Sequence, residues 1–256
     1  MTVRVGVLGA NGRMGRTVCA AVVADPDLEL VAAVDTMGGD DVEGVAMARE
    51  PQALVDGGAE VAVDFTRPDA VLANVLWCVD NGVHVVVGTT GMTLDDLGRI
   101  EAAIGDAGGR SNVFVAPNFA IGAVLMMQFA QQAARFLPAA EVIELHHDGK
   151  VDAPSGTAMS TARKIVEARA NAFHGPDGET VEGSRGGDLE GVRIHSVRLP
   201  GLVAHQEVIL GGPGQTLTIR HDSMDRSSFM PGVLLAVKEV GGHPGLTVGL
   251  ERLLGL

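Results

Sequence analysis

Two cysteines stand in 256 residues, Cys19 and Cys78, far apart and each within an apolar helical pattern. They supply neither a disulfide framework nor a metal-ligand spacing, and both read as small buried hydrophobes. His146 and His147 lack the further ligands of a zinc centre, and neighbours in a strand point to opposite faces. Basic residues are also few, 19 Lys and Arg against 32 Asp and Glu, so the net charge is −13. Nucleic acid or an anionic membrane would not be drawn to that average field. No apolar segment reaches the length of a membrane span, and the chain starts in a strand rather than a charged-then-apolar leader. Internal repeats and low-complexity tails are missing as well. A globular, cytoplasmic protein with no metal, nucleic-acid or membrane partner is expected.

An apolar fraction of 46% supplies a substantial core, enough for two domains or one large α/β domain. Val3 to Leu8 is an apolar, β-branched run leading into Gly9-Ala10-Asn11-Gly12-Arg13-Met14-Gly15, after which Val18, Val22 and Val23 mark a helix face. In such a strand, glycine turn and helix, the backbone approaches a pyrophosphate whose charge the helix N-terminus stabilises. The spacing G-x-x-G-x-x-G is one residue longer than the common fingerprint. A second strand, Leu28 to Val34, ends at Asp35, twenty residues beyond Gly15, where a ribose-binding carboxylate belongs. No arginine follows in Thr36-Met37-Gly38, so NADH is expected to serve at least as well as NADPH, although Arg13 could reach toward phosphate.

Strand and helix then alternate, which predicts a parallel sheet. Strands over Val61 to Phe65, His84 to Val87 and Val113 to Ala116 end in Thr66, in Gly88-Thr89-Thr90-Gly91 and in Pro117-Asn118-Phe119. Ligands bind outside the carboxyl ends of such strands, so the Gly9, Asp35, Gly88 and Ala116 loops should line one crevice. Ala120 to Leu137 reads as an apolar helix with Met126 and Met127 as core filler. Beyond Pro138 the alternation changes. An exposed loop is expected from His174 to Gly191, then an antiparallel meander of Val192 to Leu199, His205 to Leu210 and Thr216 to His221. A last helix, Pro231 to Val240, could return to the first domain. These readings give an α/β protein: a Rossmann-like parallel-sheet domain of residues 1–118 plus 228–256, and an α+β domain of residues 119–227 with a mostly antiparallel sheet, hinged near Phe119 and Ser227.

The densest chemistry is the run Glu144-Leu145-His146-His147-Asp148-Gly149-Lys150-Val151-Asp152-Ala153-Pro154-Ser155-Gly156-Thr157. Val142 to Leu145 reads as a buried strand and Ser155 as an N-cap, because Met159, Ala162, Ile165 and Val166 recur at helical spacing. Gly156 and Thr157 then fall in a first turn that attracts anions. Two imidazoles and an ammonium beside such a turn suit a proton donor next to a dianion site.

With Gly9 to Gly15, Gly88 to Gly91, Ala116 to Phe119 and above all this run, the chain resembles the 4-hydroxy-tetrahydrodipicolinate reductase (dihydrodipicolinate reductase) family over essentially its whole length. One departure is Asp148-Gly149, where many relatives carry a larger or basic residue. The resemblance implies reduction of a cyclic dicarboxylic imine by NADH or NADPH in lysine biosynthesis through diaminopimelate. It implies His146 as the acid/base, Lys150 as a second donor or fixed positive charge, and His147 with the Gly156 and Thr157 amides on the substrate carboxylates. Gly9, Ala10, Asn11, Gly12, Arg13, Met14, Asp35, Gly88, Thr89, Thr90, Ala116, Pro117, Asn118 and Phe119 would hold the cofactor, in a homotetramer. A redox sensor with the same glycine loop would add a basic DNA-binding helix, and an aldehyde dehydrogenase would need a nucleophilic cysteine at the domain junction. Neither feature is present.

Overall fold

The computed structural model describes residues 2–173, 175, 176 and 178–256, which divide into two compact units, Met1–Phe119 with Phe229–Leu256, and Ala120–Ser228. His174 and Asp177, within the expected exposed loop, lie outside the described residues.

In chain order the first unit carries β1 (Val3–Leu8), α1 (Arg13–Ala24), β2 (Leu28–Val34), β3 (Met47–Ala48), α2 (Gln52–Asp56), β4 (Val61–Asp64), α3 (Val71–Asp80), β5 (His84–Val87), α4 (Leu94–Asp106) and β6 (Val113–Val115). The second carries α5 (Ile121–Ala134), β7 (Ala139–His146), α6 (Gly156–Ala168), β8 (Gly187–Leu189), β9 (Val192–Arg198), β10 (Ala204–Gly212) and β11 (Gln215–Ser223). The chain then returns to the first unit with α7 (Met230–Glu239) and β12 (Leu246–Val248).

The first unit holds one parallel sheet in the order β12-β6-β5-β4-β1-β2-β3. Its middle strands are apolar on both faces, as the fully buried Val61, Ala62 and Val63 show, because helices pack on both sides of such a sheet. Val75, Cys78, Val79 and Ile100 come from those helices into a shared core with Leu8, Val85 and Val87. Both cysteines are buried, and burial pushes each thiol up to about 12, far from the reactive range. The strand order reverses between β1 and β4, which is where an open α/β sheet forms its ligand crevice.

Strand β12 extends this sheet at its β6 edge, and the turn that leads to it from α7 is held beside the same edge. Asn112 staples them there. Its Nδ2 donates to Val240 O (2.9 Å) and Gly241 O (3.1 Å), while its Oδ1 accepts from Gly245 N at 3.1 Å. The sequence pattern carries no β12 because three residues are too few for a period.

In the second unit the order is β11-β10-β7-β9-β8. The expected meander is therefore wrong in one respect: β7 lies between β9 and β10, parallel to β9 and antiparallel to β10. Parallel neighbours need a long crossover, and α6 lies in that connection. The hairpin of β10 and β11 turns at Pro213-Gly214 as the sequence suggests, with Gly214 at φ 74°. Part of the expected loop is instead the edge strand β8, whose Gly187 to Leu189 pair with β9. Ala140, Val142 and Glu144 are the buried positions of β7, an alternation that puts a carboxylate where an apolar side chain would normally stand.

Asn112→Ala leaves buried backbone groups of the C-terminal return unpaired, at a cost of about 1–3 kcal/mol each. Urea unfolding should show a clearly lower midpoint; an unchanged midpoint would show that β12 is held without Asn112.

Candidate active site

In the second unit the sequence run folds around Glu144, whose side chain is fully buried. Arg198 grips it as a fork, Nη1 to Oε2 at 2.9 Å and Nη2 to Oε1 at 2.8 Å. His146 Nδ1 contacts the same Oε2 in a short hydrogen bond, and the Ser155 amide donates to Oε1 at 3.3 Å. One carboxylate thus ties together the end of β7, the β9 strand and the start of α6. The parallel register makes this possible by setting Glu144 beside Ser196 and His146 beside Arg198.

Arg198 also organises the intervening loop. Its Nε donates to Lys150 O at 3.2 Å and its Nη2 to Asp152 O at 2.6 Å. Lys150 Nζ sits 2.7 Å from Asp152 Oδ1, and that ion pair holds the Asp152 carboxyl below the usual range. The Lys150 amide donates to His147 O at 3.1 Å, closing the turn through Asp148 and Gly149. His147 itself lies one residue past the strand, so the strict alternation of the two imidazoles ends with His146. Ser155 caps α6 by accepting from Ala158 N at 3.2 Å, and Gly156 and Thr157 open its first turn, as the sequence predicts. His146, Lys150, Gly156 and Thr157 are brought into one neighbourhood.

Burial pulls the His146 imidazole below its ordinary value; the attraction of Glu144 opposes that, and repulsion from Lys150 and Arg198 adds to it. Burial alone would raise Glu144, but hydrogen bonds from Arg198, Ser196 and His146 outweigh it and keep the carboxyl low. With Nδ1 turned to an ionised carboxylate, the neutral ring carries its proton there, and Nε2 is left for exchange.

In the first unit, the predicted nucleotide residues gather at the carboxyl ends of the parallel strands. Gly9 follows β1 at φ 78°, and a Cβ on it would come 2.7 Å from Phe65 O. Gly15, in α1, passes so close to Gly9 that a Cβ would meet its carbonyl oxygen at 2.1 Å. Gly12 is the N-cap of α1 with no side-chain cap, and Arg13 and Met14 form the first turn. Asp35 at the end of β2 accepts from the Asn11 amide at 3.2 Å and the Met37 amide at 3.0 Å. Backbone this bare and this tightly drawn fits a dinucleotide pyrophosphate. Gly88, Thr89 and Thr90 follow β5, and Ala116 to Phe119 follow β6. Ala116 and Phe119 have buried side chains, so only their backbone could meet a ligand.

Four residues escape the sequence reading. Glu144 and Arg198 are one pair, and the visible signal was an acid in a buried strand position, which requires a cation. Asp64, also fully buried, accepts from Thr66 Oγ1 (2.7 Å), Asn74 Nδ2 (2.8 Å) and Thr89 Oγ1 (2.8 Å), locking two of the loops. Arg49 lies beside the Asp35 loop, placed there by β3. Among the described residues no cluster of three or more potential metal ligands occurs, and no helix is long and apolar enough to cross a membrane.

Family models for the dihydrodipicolinate reductase N-terminus and C-terminus match residues 3–119 and 122–254. A 4-hydroxy-tetrahydrodipicolinate reductase of Nocardia farcinica is 56% identical over 260 residues, covering 100% of both chains. One from Mycolicibacterium vanbaalenii is 54% identical over 255 residues, 99% of each chain. The dipicolinate-bound dihydrodipicolinate reductase of Paenisporosarcina sp. TG-14 superposes with a TM-score of 0.89 at 41% identity, over 98% of this chain and 99% of that one.

His84, His146 and His221 all sit below the ordinary histidine value of 6.5, burial being the leading cause for each. Between the folded and unfolded values the unfolded chain binds more protons, so their contribution to stability falls as pH drops below 6.5. Glu144, held below 4.5, adds a loss of the same sign at lower pH. The melting temperature should therefore be lower at about pH 5.5 than at about pH 7.5. Equal values would mean that these imidazoles protonate alike in both states.

Proposed function

Because the chain belongs to the dihydrodipicolinate reductase family and is an NAD(P)H-dependent oxidoreductase of lysine biosynthesis through diaminopimelate, we propose that His146 is the acid that completes the reduction. The observation that carries this assignment is its Nδ1 bond to buried Glu144, which leaves Nε2 as the exchanging nitrogen. A bound nicotinamide would supply hydride to C4 of dihydrodipicolinate, the ring left when 4-hydroxy-tetrahydrodipicolinate loses water. The ring, now electron-rich, takes one proton from His146 Nε2, and tetrahydrodipicolinate is complete.

A lowered pKa makes protonated His146 a stronger acid, and a dianionic substrate beside it helps it take up that proton beforehand. Lys150 supplies fixed positive charge or a second proton where negative charge develops. Its ion pair with Asp152 and the Arg198 bond to its carbonyl restrict where the ammonium can stand. The substrate carboxylates are assigned to His147 and to the amides of Gly156 and Thr157, at the anion-attracting end of α6. The dipicolinate held by the relative of known structure is a dicarboxylate of the same kind. Gly9 to Met14, Asp35, Gly88 to Thr90 and the backbone of Ala116 to Phe119 are assigned to the dinucleotide.

Residues 1–118 with 228–256 are assigned to the nucleotide and 119–227 to substrate and oligomer contacts, bounds within one residue of the two compact units. A homotetramer in the cytoplasm is the assembly that accords with the family. Ile143 and Leu145, on the face of β7 opposite to Val142 and Glu144, stay only partly buried within one chain. Light scattering should return a mass of about four chains; a monomer or dimer mass would remove the tetramer.

His146→Gln should cut turnover by about a hundredfold or more, the usual range for loss of a general acid, with dinucleotide affinity unchanged. Lys150→Ala should lower turnover and raise the substrate KM together. These rates are read from loss of reduced-nicotinamide absorbance with substrate generated from pyruvate and aspartate semialdehyde by the preceding synthase. Equal loss of turnover and nucleotide binding in His146→Gln would assign His146 to folding.

A further inference from the structure

We propose that Arg49 receives the 2′-phosphate of NADPH and so sets the balance between the two nicotinamide cofactors. This rests on the reading that the glycine loop and Asp35 hold a nicotinamide dinucleotide.

In sequence the loop after Asp35 carries no cation, and Arg49 is fourteen residues away. The sheet removes that distance. β3 pairs in parallel with β2, Ala33 beside Met47 and Val34 beside Ala48, and the Asp35 amide donates to Ala48 O at 2.9 Å. Neighbouring strands run about 4.8 Å apart, so the next residue, Arg49, is delivered alongside Asp35 at the carboxyl end of β2. From there its guanidinium lies across Gly38. A Cβ on Gly38 would stand 3.1 Å from Nε and 3.3 Å from Nη2, and the φ of 68° also disfavours any side chain at that position. The glycine gives the guanidinium room to lie flat over the loop.

Asp35 itself is turned toward the backbone, one oxygen on the Asn11 amide and the other on the Met37 amide. Asn11 bridges onward, donating from Nδ2 to Gly38 O at 2.9 Å and accepting from Arg16 Nη2 at 2.7 Å. The carboxylate that would repel a 2′-phosphate is thus partly neutralised by two amide dipoles, and two guanidinium groups flank the loop. Arg16 is engaged with Asn11. Arg49 is exposed and makes no hydrogen bond or ion pair among the described residues. In this fold the acid after the second strand holds the 2′-hydroxyl of NADH, and a nearby arginine accommodates the 2′-phosphate of NADPH. A guanidinium can bind phosphate through two parallel hydrogen bonds. Asp35 and Arg49 side by side give this chain both provisions.

The experiment is calorimetric titration of the full protein and of Arg49→Ala and Arg49→Lys with NADH, NADPH and adenosine 2′,5′-bisphosphate, independently of turnover. Arg49→Ala should weaken NADPH and the bisphosphate about tenfold or more, the loss of a charged hydrogen bond, and leave NADH within about twofold. Arg49→Lys should recover part of the loss, since it keeps the charge but not the fork. Equal weakening of NADH and NADPH, or no change in either, would overturn the role of Arg49 while the nucleotide site stands. Failure of the unmodified protein to bind either dinucleotide would overturn the nucleotide reading and Arg49 with it.

Discussion

The bidentate grip of Arg198 on the fully buried Glu144 carboxylate is the contact on which the candidate site of the second unit depends. A buried carboxylate without partners would take up a proton or break the fold, because desolvating it costs several kcal/mol or more. Here each oxygen accepts from Arg198, and His146 and the Ser155 amide complete the set. Removing either charged partner of such a pair typically costs about 3–5 kcal/mol, since the other is left buried and unpaired. An apolar pair could have filled the same space at less cost in desolvation. What the ion pair adds is an ionised oxygen at a fixed point, and that oxygen orients the His146 imidazole.

The same arrangement explains how three distant segments converge. Glu144 is on β7, Arg198 closes β9, and Ser155 precedes α6. Arg198 then reaches two carbonyls of the loop that carries Lys150, so the position of the ammonium depends on the guanidinium as well. In the nucleotide-binding unit the corresponding constraint is steric. Gly9 and Gly15 approach within a distance that no Cβ would permit, which draws the β1 turn tight against the first turn of α1. Asp64 plays the polar part there, joining Thr66 and Thr89 from the ends of neighbouring strands.

What could be read from the sequence was local. The β-branched run Val3 to Leu8, the glycine spacing, the Ser155 cap and the His146 to Lys150 loop each express their structure within a few residues, by propensity, positive φ or capping. What could not be read was partner choice across a sheet. Nothing near Val192 or His205 says that β7 will separate their strands, because antiparallel neighbours in sequence are the cheaper guess when no crossover is seen. Arg198, Arg49 and Asn112 share this property. Each acts on residues to which only strand pairing brings it, so each is an ordinary polar residue until the register is known. Glu144 was the partial exception, since it falls within the buried strand that the run Val142 to Leu145 already suggests.

The direction of the His146 shift bears on the acid role proposed for it. Were Glu144 its dominant influence, the ring would be held protonated and would part with its proton reluctantly. Burial and the cations Lys150 and Arg198 act the other way and prevail, so the ring is neutral by default. Added negative charge would then promote proton uptake, and a dicarboxylate at the start of α6, where the substrate is proposed to bind, would be such a charge. In the role proposed for it, the hydride would add further negative charge to the substrate ring, and the imidazolium would give its Nε2 proton to that charge. Glu144 fixes which nitrogen participates, while the surrounding cations and burial fix how readily it gives the proton up. Two separate physical effects on one imidazole therefore divide orientation from acidity, and a carboxylate acting alone would have coupled them.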